Sequence, residues 1–145
     1  MKKVYTLCAI CFLFFLVNAC SKDVLKSYDR RVVGTWKLYD IDKYGFGRSN
    51  NIPFVENGIF TFSDGGQLTY TTGGNLYKGS WDIRKDYLNN SEDTNVKSLH
   101  ITVIDFVNQK VLTEYFNRMT FTNTNRFNTV VNENTRSYVF RFLRE

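Results

Sequence analysis

Apolar and polar residues alternate along most of the chain after residue 30. Aromatic and hydroxyl side chains take turns from Phe60 to Ser63, and the same two-residue period recurs from Ser137 to Phe142. Successive side chains of a strand point to opposite faces, so this period predicts strands with one buried face and one solvated face. A helical period is confined to Asp23–Arg30, where one or two helical turns are predicted. The pattern indicates an all-β domain with a short helical lead-in.

Turn residues divide the pattern into eight strands. The segments Asp64–Gly66 and Gly73–Asn75 supply residues that accept positive φ, as tight hairpins require. Eight hairpin-linked strands can close on themselves and so remove exposed edges. We therefore predict an antiparallel up-and-down barrel, with a bulge near Asn117 where the apolar positions of the sixth strand change parity. The predicted strands are 33–43, 54–63, 66–72, 76–84, 98–106, 109–122, 126–132 and 136–144.

The residues predicted to face inward are bulky. An eight-stranded barrel has an interior just wide enough to be filled by side chains or to hold one small ligand. Two tryptophans and several phenylalanines are enough to fill it, so any cavity is expected to be small and near the open end. The predicted inward set is Trp36, Leu38, Phe60, Phe62, Tyr70, Trp81, Ile101, Tyr138 and Phe140.

The N-terminal 19 residues have a different character. Lys2 and Lys3 precede an uncharged run of 14 residues, Val4–Val17, which is shorter than the about 20 residues that a membrane-spanning helix needs. A basic start, a short apolar run and a small residue at the end are the parts of a secretory signal. We predict a signal peptide over 1–19, a tether over 20–30 and the barrel domain over 31–145.

The end of this segment, Val17-Asn18-Ala19-Cys20, resembles the lipobox of bacterial lipoproteins. The resemblance implies that Cys20 receives a diacylglyceryl group and becomes the first mature residue, with two acyl chains holding it to a membrane. Cys8 and Cys11 lie in the removed segment, so lipidation also accounts for the one cysteine left in an exported chain. The implied location is the cell envelope, as an outer-membrane lipoprotein that faces the periplasm or the cell surface.

Charge and composition exclude several classes of function. The formal charge of +5 falls to +3 when Lys2 and Lys3 leave with the signal, and the other cations are scattered; no nucleic-acid partner is expected. The single histidine, His100, is predicted to face solvent, and no nucleophile motif accompanies it. One histidine and no free cysteine exclude a multi-histidine zinc site. We expect no enzyme activity, no cofactor and no metal.

The opening Gly34-Thr35-Trp36 resembles the Gly-x-Trp signature of lipocalins, and the chain is more closely similar to the lipocalin-like domains of bacterial lipoproteins. The matching segments are Gly34–Leu38, Phe60–Gly65, Gly79–Trp81 and Tyr138–Arg144. The resemblance implies a barrel closed by Gly34 and Trp36, with an arginine of the final strand packed on the indole. Arg141 and Arg144 both remain candidates; Arg141 is the one assigned to this closure.

The loop 44–53 is predicted to lie at the open end of the barrel. Flexible glycines with aromatics and a cation suit a lid over an apolar ligand. Tyr44, Phe46, Arg48 and Tyr70 are therefore predicted to bind a small hydrophobic or amphiphilic molecule at the mouth. The alternative is a filled barrel without a small ligand that acts on another envelope protein, as a periplasmic inhibitor, an immunity-type lipoprotein or a subunit of an envelope complex. A monomer is expected.

Overall fold

The computed structural model describes residues 26–46, 52–85, 96–133 and 135–145. The predicted signal peptide, Cys20 and Arg48 lie outside these ranges. Within them, a short helix precedes eight strands, and each strand pairs antiparallel with the next, while the first also pairs with the last. The predicted eight-stranded antiparallel barrel with a short N-terminal helical turn is confirmed. The elements are α1 (Tyr28–Val32), β1 (Gly34–Gly45), β2 (Ile59–Phe62), β3 (Gln67–Thr72), β4 (Asn75–Lys85), β5 (Lys97–Asp105), β6 (Lys110–Asn123), β7 (Arg126–Glu133) and β8 (Arg136–Arg144).

The alternating strand directions give the barrel two distinct ends. The start of β1, the end of β8 and α1 lie at one end, which we call the floor, with the turns 63–66 and 124–125. The opposite end, which we call the distal end, carries the turns 73–74 and 106–109 and the loop that follows Gly45. A strand rises about 3.4 Å per residue and tilts in a barrel, so the nine residues of β5 separate the two ends by roughly 25 Å. In the described part of the chain, no helix has the length and apolarity needed to cross a bilayer.

Aromatic rings fill the barrel interior. All nine residues predicted to face inward are buried, which confirms the parity assignment. The ring centroids of Phe127 and Phe142 lie 4.4 Å apart, and Phe60 meets Phe142 edge-on at 5.4 Å. Phe62 contacts Trp81 at 5.6 Å in the same way. Edge-on and stacked pairs contribute beyond their burial, so the strands are held together by one continuous aromatic core.

Bulges in β6 and β1 change which side chains face inward. In β6, Leu99 pairs with Phe116 and Lys97 with Met119, so β6 carries one extra residue at Asn117–Arg118. This confirms the predicted bulge. A second, unpredicted bulge lies in β1, where Leu38 pairs with Phe142 but Asp40 pairs with Arg141. The extra residue shifts the parity of β1, so that Ile41 packs against the core.

The second strand is shorter than predicted. It was expected over 54–63 but forms only over Ile59–Phe62, because the chain turns at Asn57, whose φ is +63°. The backbone of Leu38 bonds both Asn57 and Gly58 across this turn. A Cβ at Gly58 would lie 2.4 Å from the ring of Tyr70, so only glycine fits here. Phe54 is thereby freed from the strand.

The floor is closed by Trp36 and Arg144. The guanidinium of Arg144 lies 4.2 Å from the indole centroid and donates to the carbonyls of Arg31 at 2.7 Å, Val33 at 3.1 Å and Thr124 at 3.4 Å. The indole Nε1 donates to the Val32 carbonyl at 2.6 Å. These contacts fasten α1 beneath the barrel. Gly34, the other residue predicted for the closure, lies against the Arg144 guanidinium at this end.

The assignment of Arg141 to the floor is wrong. Its side chain points outward and forms ion pairs with Asp40 and Asp42 of the neighbouring strand. The physical reason is parity: inward positions of β8 are even-numbered from Tyr138 onward, which includes Arg144 and excludes Arg141. The Arg141 guanidinium, with help from the Tyr44 hydroxyl, lowers the pKa of Asp42 from its ordinary value.

Candidate functional site

The three predicted mouth residues that the structure describes do not form one site. Tyr44 is exposed and its hydroxyl donates to Asp42 at 3.1 Å. Phe46 is 91% exposed, and its carbonyl accepts a hydrogen bond from Arg136 Nε at 2.9 Å. Tyr70, by contrast, is 0% exposed, so its prediction as an accessible ligand contact is wrong. Arg48 lies outside the described residues.

Phe54 is the reason that Tyr70 is inaccessible. It enters the barrel from the loop between β1 and β2 and is buried, with ring centroids 5.1 Å from Tyr70 and 5.2 Å from Phe60. Its ring also stacks at 6.4 Å on Phe116. The next residue, Val55, donates its N–H to the Tyr70 hydroxyl at 3.3 Å. The upper interior is therefore occupied by the protein's own side chain, a contact that local sequence pattern did not indicate.

Glu114 faces the interior at the distal end, and Glu133 continues the inward parity of β7. Glu114 pairs with the buried Ile101 and lies between Leu112 and Phe116 on the inward face of β6. Burial raises the pKa of Glu114 from its ordinary value of 4.5, and the negative charge of Glu133 raises it further. The backbone N–H of Tyr115 donates to Glu114 at 3.0 Å and partly offsets this. The sequence signal that places Glu114 inside is the parity of β6, because it lies two residues from both Leu112 and Phe116.

Glu114→Gln is expected to stabilise the protein at pH 7–8, raising the melting temperature by about 1–3 °C. A carboxyl whose folded pKa lies above its unfolded value destabilises the fold wherever it is ionised. The gain in stability of the variant over the wild type should shrink as the pH falls through the raised pKa of Glu114, and it should vanish below pH 4.5. Thermal denaturation from pH 4 to 8 measures it, with the exposed Glu56→Gln as control. An advantage that is independent of pH contradicts this explanation.

An apolar patch covers one side of the distal end. The outward register Lys78–Ile104–Val111 joins β4, β5 and β6, and the apolar side chains around it are exposed to solvent. Phe106 is 70% and Val107 90% exposed. Large adjoining exposed apolar side chains mark interaction sites more often than bare surface. We call this the distal patch, and its apolar members are Leu76, Phe106, Val107 and Val111.

Asp105 fixes the turn that carries the two most exposed members of the distal patch. Its Oδ1 accepts the backbone N–H groups of Val107 at 2.9 Å and Asn108 at 3.1 Å, and its Oδ2 accepts Asn108 Nδ2 at 2.7 Å. The bonds from Asn108 are the main reason that the pKa of Asp105 is lowered. Gln109 completes the turn with a φ of +52°. Phe106 and Val107 are therefore held outward by a hydrogen-bonded turn.

A groove runs between this turn and the β3–β4 hairpin. Its volume is about 420 Å³, and Leu76, Phe106 and Val107 give it an apolar lining. Lys78 lies in the groove, and Lys110 is exposed at the start of the next strand. The charged carboxylate of Asp105 lines the same groove and accepts hydrogen bonds from its own turn. The groove and its rim thus combine apolar surface with two lysines and one carboxylate.

His100 lies on the outer face of β5, partly exposed, as predicted. Its Nδ1 is 3.4 Å from Asp82 Oδ1, and its ring meets Tyr115 at 6.0 Å. Over the described ranges, no group of three or more His, Cys, Asp or Glu side chains is arranged to hold a metal ion. The contacts of His100 suit a structural residue on a strand surface.

Comparison of the chain with protein-family models, with curated proteins and with solved structures found no match.

Proposed function

We propose that this protein is an extracytoplasmic binding module, anchored to a membrane through a lipid on Cys20, that docks on a partner protein through the distal patch. It acts by binding and not by catalysis. The observation that carries the proposal is the pair Phe106 and Val107, exposed by 70% and 90% on a turn that Asp105 holds in place. The lipoprotein and lipocalin-like resemblances of the sequence agree with an envelope-attached barrel.

Rigidity is what makes this turn suitable for docking. A turn whose backbone is already held by hydrogen bonds loses little backbone entropy on association, whereas a flexible loop must be ordered first. Exposed apolar side chains also give no stability to the isolated barrel, since they contribute only when something covers them. Phe106 and Val107 thus lie on a turn whose backbone needs no ordering before it meets a partner.

The filled interior favours a protein partner over a ligand inside the barrel. Phe54 and Tyr70 take up the upper part of the interior, where a mouth ligand would have to enter. Small-molecule sites are concave and enclose most of the ligand's surface. The exposed apolar area lies outside the barrel, on a convex turn and the groove beside it, where the surface of another protein can contact it.

Charge indicates what the partner presents. Lys78 and Lys110 flank the distal patch, so a complementary surface places carboxylates around an apolar centre. The anchoring membrane itself is a poor occupant, because the chain enters the barrel at the floor, roughly 25 Å from this end. We therefore expect an acidic-rimmed apolar surface of another envelope protein.

Val107→Asp is expected to release the protein from its complex. Placing a charge at the centre of an apolar contact leaves that charge without solvent, which typically weakens binding more than a hundredfold. The measurement is the native mass of the protein after mild extraction from membranes. Phe46→Asp is the matched control, because Phe46 is as exposed as Val107 but lies beside β8, across the end of the barrel.

Three outcomes separate the proposals. A complex larger than twice the chain's mass that is lost in Val107→Asp and kept in Phe46→Asp supports a protein partner. A species of twice the chain's mass assigns the patch to a second copy. A wild-type protein that is extracted as a monomer contradicts protein docking.

The groove supports a second candidate, a small amphiphile lying outside the barrel. Its volume of about 420 Å³ falls within the range of about 300–1,000 Å³ typical of ligand pockets, and Lys78 can pair with an anionic head group. This candidate predicts a monomer that carries an extractable amphiphile, which Val107→Asp loses. It differs from the predicted mouth site in position, since Tyr44 and Phe46 take no part.

A further inference from the structure

The sixth strand extends beyond its neighbour at the distal end. β7 pairs with β6 only over Arg118–Asn123, although β6 continues to the distal turn. The two strands diverge above that point, where the Asn117 side chain accepts the N–H of Asn132 at 2.8 Å in place of a ladder bond. Among the described residues, no strand pairs with this side of β6 over Lys110–Glu114. We call this segment, about 17 Å of extended chain, the β6 edge.

The alternation of backbone direction along β6 identifies the groups that face the open side. The backbone N–H of Tyr115 donates to the Glu114 side chain at 3.0 Å, so it is not directed at β5. Successive residues of an antiparallel strand direct their backbone groups to opposite neighbours in turn. Thr113 and Val111 have the same parity as Tyr115, so their N–H and C=O groups face the open side too. The β6 edge therefore presents two donors and two acceptors that no strand in the described part of the chain pairs.

The side chains of the β6 edge limit which chain can pair with it. Val111 is 57% exposed and belongs to the distal patch. The charged Lys110 and the inward-facing Glu114 disfavour a purely apolar strand. Cross-strand neighbours stabilise a sheet when their charges are opposite and destabilise it when the charges are alike. The best match is a strand that places an apolar side chain beside Val111 and a carboxylate beside Lys110.

We propose that the β6 edge takes up an extended segment of the partner protein as an added strand. The inference rests on the docking proposed above and specifies how the partner is held. In strand addition, main-chain hydrogen bonds give affinity and alternate side chains give specificity. The β6 edge offers the hydrogen bonds, and the distal patch beside it offers apolar contacts. Because Val111 belongs to both, one partner covers the edge and the patch together.

A second copy of this chain fits the β6 edge less well. Pairing of β6 with β6 about a two-fold axis makes the two strands antiparallel, so the floors of the two barrels lie at opposite ends of the dimer. Each chain enters its barrel at the floor, and the anchors proposed at Cys20 would then start from opposite ends, although both must enter one membrane. An extended segment of another envelope protein meets no such conflict.

Hydrogen–deuterium exchange tests the proposal on the full chain. The wild type is compared as the complex extracted from membranes and as the recombinant protein alone. We expect the amides of Val111 and Thr113 to exchange within seconds in the protein alone and at least about a hundredfold more slowly in the complex. The amide of Leu112 has the opposite parity and is directed at β5, so it serves as the internal control and should be slow in both samples.

Thr113→Pro removes one donor of the β6 edge and leaves the ladder to β5 intact. Proline is tolerated in a strand when the missing N–H faces away from the sheet, so the barrel should fold, which the protected amides of β5 report. The half-life of the extracted complex after dilution should shorten about tenfold, the usual effect of losing one or two hydrogen bonds. Thr113→Val is the matched control, because it keeps the backbone N–H and should leave the half-life unchanged.

Equal exchange at Val111 and Thr113 in the two samples would overturn the proposal, as would a half-life that Thr113→Pro does not change. A protected edge in a species of twice the chain's mass would assign it to a second copy instead. In each case, docking through the distal patch still stands if Val107→Asp dissociates the complex, so the failures of the two proposals are distinguishable. A wild type extracted as a monomer contradicts both. If Thr113→Pro does not fold, the exchange of the wild type decides.

Discussion

Phe54→Ala is expected to lower the free energy of unfolding by about 3–5 kcal/mol, the usual cost of deleting a buried phenyl ring. The ring is 1% exposed and contacts Tyr70, Phe60 and Phe116, so its loss leaves a void that rigid strands cannot close. Since domains of this size are stable by only about 5–15 kcal/mol, the effect is a large fraction of the total. Urea denaturation followed by tryptophan fluorescence measures it.

The same variant should gain a binding activity. An apolar cavity lined by rings stays dry and accepts small apolar molecules, so Phe54→Ala should bind benzene while the wild type does not. Phe46→Ala is the control, because Phe46 lies in the same loop but is 91% exposed; its loss should change stability by less than about 0.5 kcal/mol. Benzene binding to the wild type would show that the upper interior is open, which contradicts the account of Phe54.

Arg144→Ala is expected to destabilise the protein by about 2–4 kcal/mol. The substitution removes a cation–π contact with Trp36 and leaves the three carbonyls without their charged donor. It should also release α1 from the floor, since two of those carbonyls belong to Arg31 and Val33. Exchange of the Arg31 amide, which bonds to the Ser27 carbonyl at 3.0 Å, reports the release directly.

Arg141→Ala provides the matched control in the same strand. Arg141 forms ion pairs with Asp40 and Asp42 on the outer surface, and surface ion pairs contribute only about 0–1 kcal/mol. A small loss for Arg141→Ala beside a large loss for Arg144→Ala confirms which arginine closes the floor. Equal losses of unfolding free energy from the two substitutions would mean that the contact of Arg144 with the Trp36 indole contributes no more than a surface ion pair.

The barrel was predictable because its sequence alternates in phase with its strands. Each inward position from Phe60 to Phe142 occupies the face that the two-residue period assigned to it. The bulge at Asn117 was also visible, because Phe116 and Met119 are both apolar and cannot lie on one face of a regular strand. A buried face constrains every second residue, so the sequence records the register.

The features that escaped prediction are those that alternation does not constrain. The bulge in β1 adds Tyr39 between Leu38 and Asp40, and an aromatic residue suits either face. Phe54 looked like the start of β2, because local pattern cannot distinguish a strand residue from one that folds back into the barrel. The bulge in β1 and the position of Phe54 both depend on contacts between segments that are distant in sequence. The alternation within a single strand gives no information about such contacts.

The choice between Arg141 and Arg144 was within reach of the sequence. Tyr138, Phe140 and Phe142 define the inward parity of β8, and Arg144 continues it. Resemblance to a family suggested that an arginine packs on the tryptophan, but only parity selects which one. Parity would also have placed Glu114 inside, since it lies between Leu112 and Phe116.

The distal patch was less accessible to sequence reasoning. The predicted strands 98–106 and 109–122 imply a turn between them, and the structure has one at 106–109, yet loop composition gives no measure of exposure. Phe106 and Val107 would ordinarily be expected to fold onto the barrel. They remain outside because the Asp105 carboxylate accepts hydrogen bonds from Val107 and Asn108 and so fixes the turn. Local sequence pattern does not show this arrangement; the folded barrel does.

The most direct test of the account is photo-crosslinking in intact cells from a benzoylphenylalanine placed at position 107 or at position 46. We expect position 107 to form a crosslink to one protein, within a segment that has apolar residues next to carboxylates, and position 46 to form none to that protein. Crosslinks of equal yield from both positions, or none from position 107 in cells where the protein is abundant, would contradict docking through the distal patch.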